Sequence, residues 1–150
     1  MRNGAKQMAY MSQERKAQIA PKVKAILKKY HLKGSLSVSG RSTLVLTIKS
    51  GVIDFISNFN KTNSEDPYMQ ARGNTYVATD YIDVNVYHFE KHFSGQAHKA
   101  IEELYKAMMT GNHNNSRIEV DYFDVGWYVD IHIGKWNKPY TLEPLVKGWH

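Results

Sequence analysis

The run Ser35-Leu36-Ser37-Val38-Ser39-Gly40-Arg41-Ser42-Thr43-Leu44-Val45-Leu46-Thr47-Ile48-Lys49 decides the fold. Its first five residues alternate polar and apolar around Leu36 and Val38, and after Gly40-Arg41 the alternation returns around Leu44, Leu46 and Ile48. Successive side chains on a strand point to opposite faces, so a period of two marks half-buried strands, and the glycine between them marks a turn. The stretch reads as a β-hairpin closed by Gly51.

Working upstream, residues 1–11 lack any period and read as a flexible tail, leaving 12–150 as a single domain. Ser12 caps a helix beginning at Gln13, and Pro21 either kinks it or opens a second helix over 21–30. Ile19, Val23, Ile26, Leu27 and Tyr30 recur at helical spacing and form the inward stripe. Lys24 and Lys28 project from the opposite side, flanked by Lys22 and Lys29, and Lys33-Gly34 breaks the helix.

Working downstream, Val52 to Phe59 reads as a short helix, and the polar stretch 60–72 with Pro67 reads as a loop. Tyr81 to His88 alternates as a strand, with Ile82, Val84 and Val86 opposite Tyr81, Asp83, Asn85 and Tyr87. Ser94 caps a helix carrying Ala97, Ile101, Leu104, Tyr105 and Met108 on one face. Two further alternating runs, 117–123 and 127–133, read as a second hairpin, and the tail from Gly134 wraps over the domain. These elements give an α+β fold: a mainly antiparallel five-stranded sheet with helices packed on one face and the other face partly open. Helix plus hairpin occurs twice, about 80 residues apart, which reads as a degenerate duplication.

Composition bounds the rest. At 150 residues and 42% hydrophobic, the chain fits one core burying roughly two thirds of its unfolded surface. It has no cysteine, which excludes disulfides, thiolate metal sites and cysteine nucleophiles and makes a reducing cytoplasm the expected setting. No apolar run approaches the roughly 20 residues that span a bilayer, and the first residues lack the apolar stretch of a signal peptide, so no membrane partner is expected.

Charge is uneven. Residues 1–50 hold eleven cations against the single acid Glu14, whereas the remaining hundred carry nine against thirteen. A concentrated positive field attracts polyanions. Lys22, Lys24, Lys28, Lys29, Lys33 and Arg41 are therefore the candidate contacts to nucleic acid, to a nucleoprotein or to an acidic protein, against the plainer reading of a solvated helix face.

Other constellations point less far. His88, Glu90 and His92 share a side if the strand continues, but the segment must give way to the helix at Ser94, so it reads as a polar connector and no metal is assigned. Asp83, Asn85, Tyr87, Tyr128, Asp130 and His132 fall on the polar side of the sheet with Glu119 and Asp121, a second candidate surface. Acids beside a histidine suit acid/base chemistry only when a pKa is shifted, and alternation alone produces such rows. Phosphate-cradling glycine patterns, the nucleophile elbow and the deaminase signature are missing. No catalytic residue or cofactor is assigned, and no pattern sets an oligomeric state.

Lys22 to Tyr30, Lys33 to Val38 and Ser42 to Ile48 together resemble the large polyvalent protein-associated domains carried by phages and conjugative elements, in which a basic helix leads into two strands closed by glycine. Leu36 stands where that family has an aromatic, and Ser50-Gly51-Val52 replaces its Asp-Gly-Pro. Tyr81 to Phe93 and Asp121 to Tyr140, the latter with Ile-Gly-Lys-Trp-Asn-Lys-Pro-Tyr, look like phage and bacterial proteins of no assigned role. The resemblance implies a mobile-element setting and action on host machinery, including inhibition of host defence. The expectation is a small accessory binding protein. The alternatives are a protein-binding inhibitor using the sheet face or the aromatic C-terminal tail, or an enzyme on nucleotides or polynucleotides.

Overall fold

A computed structural model describes residues 6–7, 9–71, 73, 77–113, 123–124 and 126–145. The expected strand 117–123, with Glu119 and Asp121, lies almost wholly outside them. In chain order the elements are β1 (Lys6–Gln7), α1 (Gln13–Lys29), β2 (Leu32–Ser39), β3 (Thr43–Gly51), α2 (Phe55–Ser64), α3 (Pro67–Ala71), β4 (Ile82–Val84), a 3₁₀ turn (Phe89–Lys91), α4 (Gly95–Met108), β5 (Phe123–Asp124), β6 (Tyr128–Ile133) and β7 (Thr141–Leu142).

The Ser12 hydroxyl accepts from the Arg15 amide at 3.0 Å and starts α1. Pro21 neither splits nor ends it: α1 is one helix. Ala17 and Pro21 are both exposed, so the Ala17 carbonyl that proline leaves without a donor faces water. The helix ends at Lys29 with Tyr30 as its cap; His31, with φ 55°, then turns the chain into β2, and Gly34 lies inside that strand. The presumed tail is not loose up to residue 11. Met11 is 2% exposed in the core, and its amide donates to the Arg41 carbonyl at 2.7 Å.

β2 and β3 form the expected hairpin, with Leu36 opposite Leu46 and Val38 opposite Leu44. The sheet runs β2-β3-β6-β4, and β7 pairs with β3 at Ser50 and Gly51, beyond the end of β6. It is mixed rather than mainly antiparallel, because β6 and β7 both lie parallel to β3 while β4 lies antiparallel to β6. The second hairpin and the repeat built on it rest on 117–123, almost all outside the described residues; of that pair only β6 is described in full, and it lies between β3 and, at residues 131–133, β4. The fifth strand comes from the tail. The supposed loop 60–72 holds the end of α2 and all of α3.

Register builds the core. Leu36, Leu46, Ile131 and Val84 lie in one row across four strands, and Ile48, Ile133 and Ile82 in the next. α1 and α4 pack against each other and against this face, adding Ile19, Val23 and Leu27 from α1 and Ile101, Leu104 and Met108 from α4. Phe55 meets Phe93 and Tyr140 edge-on, at 6.2 and 5.7 Å between ring centres. The opposite face carries Ser35, Ser37, Val45, Thr47, Asp130 and His132 and has no helix over it among the described residues. No helix among the described residues is long and apolar enough to cross a membrane.

Candidate nucleic-acid interface

Positions four apart share a helix face, so Lys24 and Lys28 project together from α1. The left-handed turn at His31 then brings Lys33 round to meet them. All three line a groove of about 480 Å³ whose apolar wall includes Leu27, Leu32 and Val52. Glu143 and Pro144, arriving after β7, close its far side. Glu143 reaches Lys33 at 3.7 Å, with the Lys33 end largely exposed and the Glu143 end about one third exposed. Such a pair contributes about 0 to 1 kcal/mol, so a phosphate can replace the carboxylate.

The other predicted cations go elsewhere. Lys29 faces α4 and donates to Glu103 at 2.9 Å. The Tyr30 hydroxyl bonds the same carboxylate. These two bonds, Tyr30's first, hold the Glu103 carboxyl below the ordinary range, and the Glu103 bond raises the Lys29 ammonium. Lys22, seven residues before Lys29, is on that same side of the helix, exposed and without an ion pair among the described residues. Arg41 does not belong to the patch. It occupies the β2–β3 turn with φ 60°, tied to Met11 at the other end of the 17-residue α1, roughly 25 Å from Lys28. The sequence grouped it with the lysines because charge was counted along the chain.

The second surface is also partly regrouped. Asp83 and His132 sit opposite each other on β4 and β6, with Asp83 Oδ1 2.6 Å from His132 Nδ1. Asp130 and half-exposed Tyr128 share that face. Asn85 and Tyr87 do not, because β4 stops at Val84. The Asn85 side chain accepts the Tyr87 amide at 3.0 Å, a local turn that competes with the sheet ladder.

The His88, Glu90, His92 group is divided. His88 Nδ1 is 4.0 Å from Glu90 Oε1 in the open, whereas His92 turns inward, stacked on Phe59 with Nδ1 3.0 Å from Oδ1 of buried Asn63. Among the described residues no three acids or histidines are placed to hold a metal ion. Burial, then the charge of His88, lowers the His92 pKa, with Lys91 acting in the same sense and Asp66 and Glu90 in the opposite one. The unfolded chain therefore binds the proton more tightly. The stabilisation from neutral His92 is complete above its ordinary pKa of about 6.5 and is lost as pH falls through the lower folded value. The urea midpoint should drop between about pH 7.5 and about pH 5.5, and His92→Gln should flatten that drop. An unchanged slope in the variant would assign the pH dependence elsewhere.

A second basic cavity was not foreseen. On the open face, about 380 Å³ is enclosed by Lys49 of β3 and by Lys135 and Lys138 of the turn after β6. The only local signal was Lys135-Trp136-Asn137-Lys138, two cations bracketing an aromatic residue. No family model, curated protein or solved structure matches the chain.

Proposed function

We propose that this chain is a non-enzymatic accessory binding protein that docks nucleic acid, or a nucleoprotein, along the groove between the second half of α1 and the start of β2. The observation that carries the reading is the convergence of Lys24, Lys28 and Lys33, from two elements, on one cavity where Glu143 is the one acid among the described lining residues. Three ammonium groups around a groove suit the phosphate backbone, a contact that positions a nucleic acid without reading its sequence. The phage or mobile-element setting, and any action on host defence, are supported by the family resemblance alone.

Salt titration of duplex DNA binding tests it. Three phosphate contacts give a slope of about −2.7 in log affinity against log salt, close to a fortyfold loss between about 50 and 200 mM. A flat profile, or no binding at the lowest salt, rejects the groove as a polyanion site. A second reading, a protein-binding inhibitor, is favoured by the exposed apolar side chains of the last described segment, Leu142 and Leu145. It requires complex formation with a protein partner that survives added salt.

A further inference from the structure

The cavity on the open face has features that the α1 groove lacks. Ser35, Thr47, Ser50 and Thr141 contribute to its lining, so hydroxyl-bearing residues from three strands meet at one place. Lys49, Lys135 and Lys138 contribute the charge, and none of them forms an ion pair with a described residue. The acids of this face, Asp83 and Asp130, do not line it.

Local structure explains the convergence. The β2–β3 register slips between Lys33 and Gly34, leaving Lys49 as the extra residue between paired Ile48 and Ser50. A bulge of this kind re-aims side chains, and both Lys49 and Ser50 line the cavity. Thr47, 6% exposed, contributes to the same lining. On the other side, Lys135 and Lys138 bond each other's backbone at 2.8 and 3.1 Å, which closes a tight turn. That turn carries Trp136, 77% exposed.

We infer that this cavity binds the phosphate of a nucleoside phosphate, with the base stacked on Trp136. Cations and hydroxyls in a concavity fit a phosphate, which offers several strong acceptors. A cavity of 380 Å³ falls within the usual range for small-ligand sites. An exposed indole between two cations is a stacking surface for a base. A free nucleotide is favoured over a polynucleotide because the hydroxyls and lysines close on one compact cavity.

Isothermal titration with inorganic pyrophosphate and with AMP tests the inference, and the exposed variants keep the fold intact. Both ligands should saturate below about 1 mM. Lys135→Ala with Lys138→Ala should weaken both by at least about tenfold, Trp136→Ala should weaken AMP by roughly tenfold and pyrophosphate hardly at all, and Thr47→Val should weaken both. Duplex DNA binding through the α1 groove should persist in Trp136→Ala, so failure here is distinguishable from failure there. Equal binding of sulfate and pyrophosphate that ignores Thr47→Val would overturn the inference, as would loss of pyrophosphate binding on Trp136→Ala or tighter binding of single-stranded DNA than of AMP.

Discussion

Replacing Lys24, Lys28 and Lys33 together by glutamate is expected to lower affinity for duplex DNA by at least about 150-fold at low salt. Each ammonium within contact distance of a phosphate contributes about 1 kcal/mol even at the dielectric of water. Three such losses make about 3 kcal/mol, a factor near 150, before the new repulsions are counted. The control is reversal of Lys22 and Lys29. It changes net charge by about two thirds as much, on the side of α1 that faces α4, where Glu103 already engages Lys29 at 2.9 Å. If the groove is the contact, the control loses far less affinity and keeps the salt slope near −2.7. If both variants weaken binding in proportion to net charge, the attraction is a diffuse field and no groove need be invoked. Melting temperature should move little in the groove variant, since Lys24, Lys28 and Lys33 are exposed and single surface changes stay within about 0.5 kcal/mol; the control should lose more, because Lys29→Glu sets a carboxylate against Glu103.

The regrouping of these lysines shows what the sequence could carry. Helical spacing placed Lys24 beside Lys28 because that relation is local, fixed by 3.6 residues per turn. It could not place Glu103 under Lys29, a contact between residues 74 apart in the chain, nor Glu143 beside Lys33. Alternation likewise found the inward faces of β3 and β6 correctly, since burial follows the period of two regardless of neighbours. Strand direction has no such local signature. Thr43 to Ile48 pairs in parallel with Tyr128 to Ile133, residues 85 apart, and the long excursion through α2 and α4 that permits a parallel return looks in sequence like any other set of connections. Asn85 and Tyr87 were misplaced for a related reason. Their spacing continues the strand pattern, but an asparagine that captures an amide two residues on ends the ladder. The open-face cavity was least legible, because Lys49 comes from a bulge and Lys135 and Lys138 from a turn far along the chain.

Gly134→Ala should be among the most destabilising single substitutions outside the apolar core, costing about 3 kcal/mol or more, while Gly73→Ala should cost about 1 kcal/mol. The comparison isolates one cause. Both glycines have φ of +68°, so both pay the left-handed penalty on gaining a Cβ. At Gly73 that Cβ meets nothing within 4 Å. At Gly134 it stands 2.5 Å from the Tyr140 amide nitrogen and 3.0 Å from the Asp80 carbonyl oxygen, two backbone atoms joined by a 2.8 Å hydrogen bond. Backbone cannot swing aside as a side-chain tip can, so the alanine must break that bond or displace the chain after β6. The displaced chain carries Tyr140, whose hydroxyl donates to the Ile53 carbonyl at 2.7 Å and whose ring packs on Phe55, and then β7 itself. A lost buried hydrogen bond is worth about 1 kcal/mol, and the packing adds to it. Urea midpoints at unchanged slope would measure both losses. Because the same turn positions Lys135 and Lys138, Gly134→Ala should also weaken pyrophosphate binding while Gly73→Ala leaves it alone. Equal losses at the two glycines would mean that the chain after β6 yields to the added methyl without cost, and that the turn does not hold the cavity in shape.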